Sequence, residues 1–353
     1  MEDREKLQKA AALLIEWYAA SRRDLPWRRS PTPYQVWISE IMLQQTRIEA
    51  VIPYYERFLR ELPDAAALAA VDEDRLLKLW EGLGYYSRAR NLQKAARQIV
   101  AEYGGELPRR AEELKKLPGI GDYTAGAIAS VAYGEPEPAV DGNVLRVVSR
   151  LLALDDDIMD PKTRRRVTEQ LRAVYPAGED AALLTEGIME LGETVCIPNG
   201  GARCGVCPLR ALCRAYAAGS VERYPVKSPP RPRRVEERTV LLLRCGGRWA
   251  IRRRPNRGLL AGLWEFPGEA TALSAEEAAA RVPGALRCTP CGEASHVFTH
   301  VEWHMRGYVI DCAETLRDYR WVTAKELRER YSVPTALKYY QKVLESYSGE
   351  DCV

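Results

Sequence analysis

Leu117-Pro118-Gly119-Ile120-Gly121-Asp122-Tyr123-Thr124-Ala125-Gly126-Ala127-Ile128 is the stretch whose reading decides the fold. Two glycines flank an apolar residue in a tight turn. An Ala/Ile-rich helix is expected to begin near Thr124. Gly119 and Gly121 permit positive φ and close backbone approach. Such a turn aims free N–H groups at the start of a helix, where the dipole favours an anion. That is a grip for a phosphate, and it reads no base sequence. Glu135-Pro136-Glu137-Pro138 then breaks the chain, and Val140-Asp141-Gly142-Asn143 opens the next helix. Asp141 sits where an ordinary N-cap belongs. The same place suits a carboxylate held beside a sugar-phosphate, and the local pattern leaves both readings open.

Working outward, 353 residues suggest about two domains. A hydrophobic share of 46% supports packed cores rather than disorder. The net charge of +3 neither demands nor excludes nucleic acid, so local charge must decide. No run approaches the ~18 apolar residues of a membrane span. Charged residues begin at Glu2 and no apolar segment follows, so no signal peptide is expected. A cytoplasmic location is expected, where the nine cysteines stay reduced or bind metal.

Leu7, Ala11, Leu14, Ile15 and Tyr18 recur at helical spacing, which predicts a helix ending near Ser21. Arg22-Arg23-Asp24-Leu25-Pro26-Trp27-Arg28-Arg29 follows. It reads either as a surface that meets phosphates and stacks on bases or as a solvated basic loop. Thr32-Pro33 starts a helix running to about Thr46. Glu40 lies on it among Trp37, Ile41 and Leu43. A carboxyl in apolar surroundings holds its proton near neutral pH, as a general acid must. A helix-surface glutamate is the plain alternative. Gln44 and Gln45 end this helix with amides able to reach base edges. A helix over 72–80 closes on Gly82 and Gly84, and Tyr85-Tyr86-Ser87-Arg88 opens a long helix to about Tyr103. Paired aromatics beside arginines suit either a wedge in a base stack or structural packing. Further helices are expected over about 143–153, 162–174 and 180–195.

Cys196, Cys204, Cys207 and Cys213 are the strongest metal signal, lying in a loop rich in glycine and proline. Four thiols with one C-x-x-C suit tetrahedral sulfur coordination. Zinc sites usually show two close pairs, so an iron–sulfur cluster is slightly preferred on chemistry alone. Residues 227–234 carry three prolines and read as a stiff, basic linker. Beyond them the pattern turns to strands: a hairpin from Thr239, a strand from Val297 to Ile310, and a helix over about 324–330. His296, His300 and His304 lack an accompanying acid or cysteine cluster, and Cys288 with Cys291 is a lone pair.

These motifs resemble the adenine DNA glycosylases of the MutY family over nearly the whole chain. Leu117–Gly121 and Val140–Asn143 resemble the helix-hairpin-helix glycosylase superfamily, and the four cysteines resemble its iron–sulfur loop. Seven residues separate Cys196 from Cys204, one more than the family usually has. Val36-Trp37-Ile38-Ser39-Glu40-Ile41-Met42-Leu43-Gln44-Gln45-Thr46, Gly82-Leu83-Gly84-Tyr85-Tyr86-Ser87-Arg88 and Asp24-Leu25-Pro26-Trp27-Arg28 are similar to the adenine-removing branch.

The resemblance implies a multidomain fold. An all-α helix-hairpin-helix glycosylase domain is expected over 1–226, its six-helix part at about 29–136 and its cluster loop at 196–213. A linker at 227–234 and an α+β Nudix-like domain at 235–353 complete it. Glu40 is implied as general acid and Asp141 as the carboxylate facing the cationic sugar, supported by Tyr123 and Asn143. Arg23, Leu25, Trp27, Arg28 and Glu186 are implied to line an adenine pocket. Gln45, Tyr85, Arg88, Gly119 and Gly121 are implied DNA contacts. The four cysteines are implied to hold a 4Fe-4S cluster.

Relatives that also cut the strand carry a lysine at the position of Tyr123, and a phenol forms no Schiff base. The implied reaction is therefore hydrolysis of the adenine glycosidic bond, without strong lyase activity. Gly258–Gly268 resembles the Nudix fold, yet Ala275-Glu276-Glu277-Ala278-Ala279-Ala280-Arg281 does not supply its acidic magnesium site. The second domain is thus expected to read the lesion. Phe298-Thr299-His300 stands where the family's Phe-Ser-His loop checks for 8-oxoguanine opposite adenine. Duplex DNA with an adenine:8-oxoguanine mispair is the expected partner of a monomer working at the nucleoid of a bacterial cell. Three other readings compete: a glycosylase-lyase for oxidised pyrimidines, a nucleotide pyrophosphatase, and a non-catalytic iron–sulfur DNA-binding protein. Tyr123, the missing acidic signature, and the pairing of Glu40 with Asp141 argue against them in turn.

Overall fold

Gly119 turns the chain at φ +81°, and a Cβ there would stand 2.7 Å from the Cβ of Asn91. No side chain other than hydrogen fits both constraints. Gly121 caps the following helix in extended geometry, φ −96° and ψ −177°, which any residue can adopt. Its role is space, because nothing lies within 4 Å of where its Cβ would be. No side chain caps the helix it precedes, so that N-terminus faces outward with its N–H groups free of a side-chain acceptor.

The computed structural model describes residues 2–198, 201–229 and 232–349. Gly200 of the cysteine loop and Pro230 and Arg231 of the expected linker lie outside the described residues. The chain divides into two units, Met1–Ala70 with Asn91–Pro229, and Val71–Arg90 with Pro230–Val353.

The first unit is helical. In chain order its helices are α1 (Asp3–Ser21), α2 (Pro33–Leu43), α3 (Ile48–Glu61) and α4 (Ala65–Ala70). After α5 (Glu73–Leu79), which belongs to the other unit, come α6 (Ser87–Glu102), α7 (Ala111–Leu114), α8 (Asp122–Tyr133) and α9 (Gly142–Leu152). The series ends with α10 (Pro161–Arg172), α11 (Glu179–Thr194) and α12 (Arg214–Ala217). Thr32 closes a full capping box with Gln35, and Pro33 pre-sets the first turn of α2. Leu7, Leu14, Val144, Val148, Leu184 and Ile188 knit α1, α9 and α11 into one core. The short α7, the glycine turn and α8 form the helix-hairpin-helix.

The second unit holds a seven-stranded mixed sheet: β1 (Arg234–Cys245), β2 (Arg248–Arg253), β3 (Trp264–Glu265), β4 (Gly268–Glu269), β5 (Ala285–Val297), β6 (Val301–Cys312) and β7 (Arg320–Val322). The order β3-β2-β1-β6-β5 places β1 and β6 in parallel at the centre. Val240 and Leu242 face one apolar layer, and Leu241 and Leu243 face the other. Burial on both faces explains the unbroken run of leucines in β1. Helices α13 (Ala275–Ala280), α14 (Ala324–Arg330) and α15 (Lys338–Gly349) complete this unit. The segment 71–90 joins it through specific contacts. Trp264 Nε1 donates to Asp74 at 3.3 Å, and the Val333 amide donates to Glu81 at 2.9 Å.

One strand assignment needs correcting. Val297 to Ile310 is not continuous, because Phe298–His300 form the turn between β5 and β6. β5 was hidden by Pro290 and Gly292, which mark a register shift on an edge strand.

Gly119→Ala is expected to destabilise the first unit by about 1–3 kcal/mol, through the strained φ and the clash with Asn91. The urea midpoint of the intact protein reads this directly. A shift equivalent to under about 0.5 kcal/mol would mean the turn relaxes without cost.

Candidate active site

Glu40, Tyr123, Asp141 and Asn143 come from three helices and meet in the first unit. Tyr123, near the start of α8, donates its hydroxyl to Glu40 Oε2 at 2.8 Å. Burial pushes the Glu40 carboxyl up to about 7, and the negative charges of Glu186 and Asp141 add to the shift. Burial, and after it the carboxylates of Glu40 and Asp141, also raise the Tyr123 phenol. The contact is therefore between a neutral phenol and a carboxyl that keeps its proton near neutral pH. Because Tyr123 occupies Oε2, the acid proton is left to Oε1.

Asp141 is indeed the N-cap of α9, accepting from the Val144 amide at 2.8 Å. Its other oxygen accepts from Asn143 Nδ2 at 2.9 Å. Burial raises its pKa, while these donors favour the anion. Asn143 has no freedom to flip. Arg146 Nη2 donates to its Oδ1 at 2.8 Å, so the amide must turn Nδ2 toward Asp141. The same arginine donates to the Cys196 carbonyl at 2.8 Å, which ties the cysteine loop to the Asp141 carboxylate through two side chains. Close packing makes this possible: a Cβ at Gly192 would stand 2.7 Å from the Cβ of Asn143.

Within the basic segment before α2, Arg23 and Arg28 turn toward α11, whereas Arg22 and Arg29 are exposed. Arg23 bonds Glu190 through two nitrogens and Glu193 at 2.9 Å. Arg28 donates to Glu190 at 2.8 Å, and Arg29 pairs with Asp24. Trp27 is buried, edge-on to Tyr55 at 5.5 Å, so it is not available to stack on an exposed base. Leu25 is buried as well. Glu186 lies one turn before Glu190 and 3.8 Å from the Arg28 Nε. Glu190 is the residue that sequence reading missed. It is almost fully buried, and only its two arginine partners, over 160 residues away, explain a charge there.

The expected duplex contacts separate into two kinds. Gln45 and Tyr85 are exposed, and both hold positive φ, +57° and +45°, without being glycine. Such backbone strain persists only where the surroundings enforce it. Gln44 instead donates to Thr124 Oγ1 at 3.1 Å. Arg88 corrects the expectation. It is buried, donates to the carbonyls of Leu83 and Gly84 at 3.0 and 3.3 Å, and lies over Trp80. Desolvation lowers its pKa to about 10. It holds the turn that presents Tyr85 rather than meeting phosphate itself. Thr299 and His300 are exposed at the β5–β6 turn, while Phe298 packs between the rings of His296 and Trp303. Thr299 and Tyr85 share a hydrogen bond of 3.1 Å.

Cys196, Cys204, Cys207 and Cys213 line one small cavity of about 20 Å³. Among the described residues no three His, Cys, Asp or Glu side chains form a cage for a single ion. Burial pushes the Cys207 thiol up to about 11, so four thiolates need a cationic partner to coexist. Arg150 donates to Cys196 Sγ at 3.4 Å.

Glu190→Gln is expected to cost about 3 kcal/mol, because it strands two guanidiniums against a neutral amide. A urea midpoint unchanged from the parent would show that Glu193 and Glu186 carry the arginines alone.

Comparison with known proteins follows this division. Residues 38–176 match the HhH-GPD superfamily of base excision DNA repair proteins, and residues 239–342 match the NUDIX domain. A thermostable thymine-DNA glycosylase is 26% identical with a TM-score of 0.55, covering 61% of this chain and 98% of its own. An endonuclease III–DNA complex is 26% identical with a TM-score of 0.52, covering 62% and 99%. The adenine DNA glycosylase of Rattus norvegicus is 33% identical over 96% of this chain and 78% of its own length. That of Homo sapiens is 34% identical over 96% and 73%. No helix among the described residues is long and apolar enough to cross a membrane. Two matched domains in this order, with relatives aligned across both, show that the chain belongs to the adenine DNA glycosylases.

Proposed function

We propose that this chain excises adenine from duplex DNA by hydrolysis, preferring adenine opposite 8-oxoguanine, and leaves an abasic site. The observation that carries it is the Tyr123–Glu40 contact: a buried carboxyl, neutral near pH 7, whose proton is left on the oxygen that Tyr123 does not occupy. Adenine in a duplex is out of reach, so it must be flipped into the pocket. The free N–H groups at the start of α8 suit a strand phosphate, and exposed Gln45 and Tyr85 suit the gap that flipping leaves. Glu40 delivers its proton to N7 of adenine, which makes the base a better leaving group. As the C1′–N9 bond breaks, positive charge grows on the sugar. Asp141, held as an anion by Val144 and Asn143, stabilises that charge. One carboxyl kept neutral and one kept charged is the division of labour of glycoside hydrolysis. Tyr123 offers no amine, so no Schiff base forms and the strand stays intact. The exposure of Thr299 and His300 at a turn suits a role in reading the opposite base. Threonine keeps the hydroxyl of the family's serine and adds a methyl group.

The four cysteines suit a 4Fe-4S cluster somewhat better than a lone zinc ion, since only one close C-x-x-C pair is present where zinc sites usually show two. Such a cluster would supply the positive charge that lets four thiolates coexist and would fix the carbonyl of Cys196 against Arg146. A visible absorption band near 400 nm in the purified protein is expected. Colourless protein carrying stoichiometric zinc would refute the assignment.

Incubation with an adenine:8-oxoguanine duplex, with and without alkali, tests the reaction. Base loss that appears as strand cleavage only after alkali is expected. Glu40→Gln is expected to cut the single-turnover rate by at least about 100-fold while duplex binding persists. The rate should fall as pH rises through about 7, where Glu40 loses its proton, and fall again in acid as Asp141 gains one. Strand cleavage without alkali would overturn the monofunctional reading.

A further inference from the structure

Tyr18 is completely buried on α1, yet its hydroxyl has work to do: it donates to Glu186 Oε2 at 3.1 Å. The two helices approach closely here, since a Cβ at Gly187 would stand 3.0 Å from the Cβ of Tyr18. Arg28 completes the group. Its guanidinium lies 5.3 Å from the centre of the Tyr18 ring, and its Nη2 is spent on Glu190. The Arg28 side chain is only 10% exposed, and its Nε is buried with no hydrogen-bond partner, 3.8 Å from Glu186 Oε1. That distance is too long for a hydrogen bond. Glu186 therefore has one oxygen committed and one held near a positive charge without a donor.

The position of this oxygen matters. Met189, three residues along the same face of α11, touches the Tyr123 hydroxyl at 3.5 Å, and the charge of Glu186 is felt at Glu40. Glu186 thus borders the site where the acid proton is held. A flipped purine that offers N7 to Glu40 turns its six-position toward the neighbouring wall.

We infer that Tyr18 is a positioning residue for base selection: by donating to one oxygen of Glu186 it fixes the other as an acceptor, which admits the amino group of adenine and rejects 6-oxopurines such as hypoxanthine. This rests on the adenine-excision reading above. Adenine presents N–H at its six-position, and hypoxanthine presents a carbonyl oxygen in the same place. An ionised carboxylate pairs with the first and repels the second. A protonated Glu186 would donate to the carbonyl and lose the distinction. Burial raises the Glu186 pKa, and Arg28, then the Tyr18 hydroxyl and Arg22, pull it back toward the ionised form. Removing that hydroxyl leaves the ring, its packing and the Arg28 stack in place.

Tyr18→Phe in the full-length, cluster-loaded protein tests this. Single-turnover rates are measured on duplexes carrying adenine, hypoxanthine or unsubstituted purine opposite 8-oxoguanine. The adenine-to-hypoxanthine rate ratio is expected to fall by about tenfold or more, the value of one hydrogen bond to a charged group. The purine rate, blind to the six-position, should stay within about twofold of the parent. Glu186→Gln, which puts an amide donor at the same place, should move the ratio in the same direction. An unchanged ratio in either variant, or an equal fall on all three bases, would overturn the inference. A parent enzyme that releases no adenine would instead overturn the functional reading, and this inference with it.

Discussion

A carboxyl that keeps its proton at neutral pH must be kept from water, and the fold of the first unit follows from that demand at Glu40. Its neighbours on α2, Trp37, Ile38 and Ile41, are almost completely buried, so the helix cannot rotate to free the acid. The cost appears as linkage. A glutamate whose folded pKa lies near 7 binds its proton more tightly in the native state than in the unfolded chain, near 4.5. Its effect on stability is therefore favourable in acid and is lost as pH rises from about 4.5 through about 7. The core of α1, α9 and α11 has to carry that loss.

The second demand is opposite in sign. Asp141 is half-buried, and the fold surrounds it with donors that favour its anion. One oxygen takes the α9 cap bond and the other takes Asn143, which Arg146 locks. Two neighbouring carboxyls are thus given different partners: Glu40 faces a single hydroxyl, whereas Asp141 faces two N–H donors. That difference, more than burial itself, separates acid from anion.

Much of this was legible in the chain. Leu117–Ile128 announced its turn, because Gly119 alone satisfies both the φ and the space. Glu40 in an apolar stripe and Asp141 at a helix opening were visible as local patterns. What stayed hidden depends on distant partners. Nothing near Arg23 or Arg28 reveals that both serve Glu190, so the segment looked like a phosphate-facing surface. Arg88 looked like a DNA contact because a run of residues does not show which carbonyls a side chain will reach. The grouping of Val71–Arg90 with the sheet rests on Asp74 and Glu81 meeting residues more than 180 positions later. Edge strand β5 carries proline and glycine, the residues that local propensity counts against a strand.

The strained backbones of Gln45 and Tyr85 belong to the same economy. Both residues stay exposed at positive φ in the free protein, Tyr85 with its hydroxyl on Thr299. In each unit the strain is held by buried neighbours. Arg88 grips the carbonyls just before Tyr85, and Gln44 is tied to Thr124 just before Gln45. A side chain held in place before its partner arrives loses less entropy on binding. Flipping a base from a duplex costs a few kcal/mol in stacking and pairing. A partner that meets Gln45 and Tyr85 therefore finds them already held, through an arginine and an amide that need not touch it.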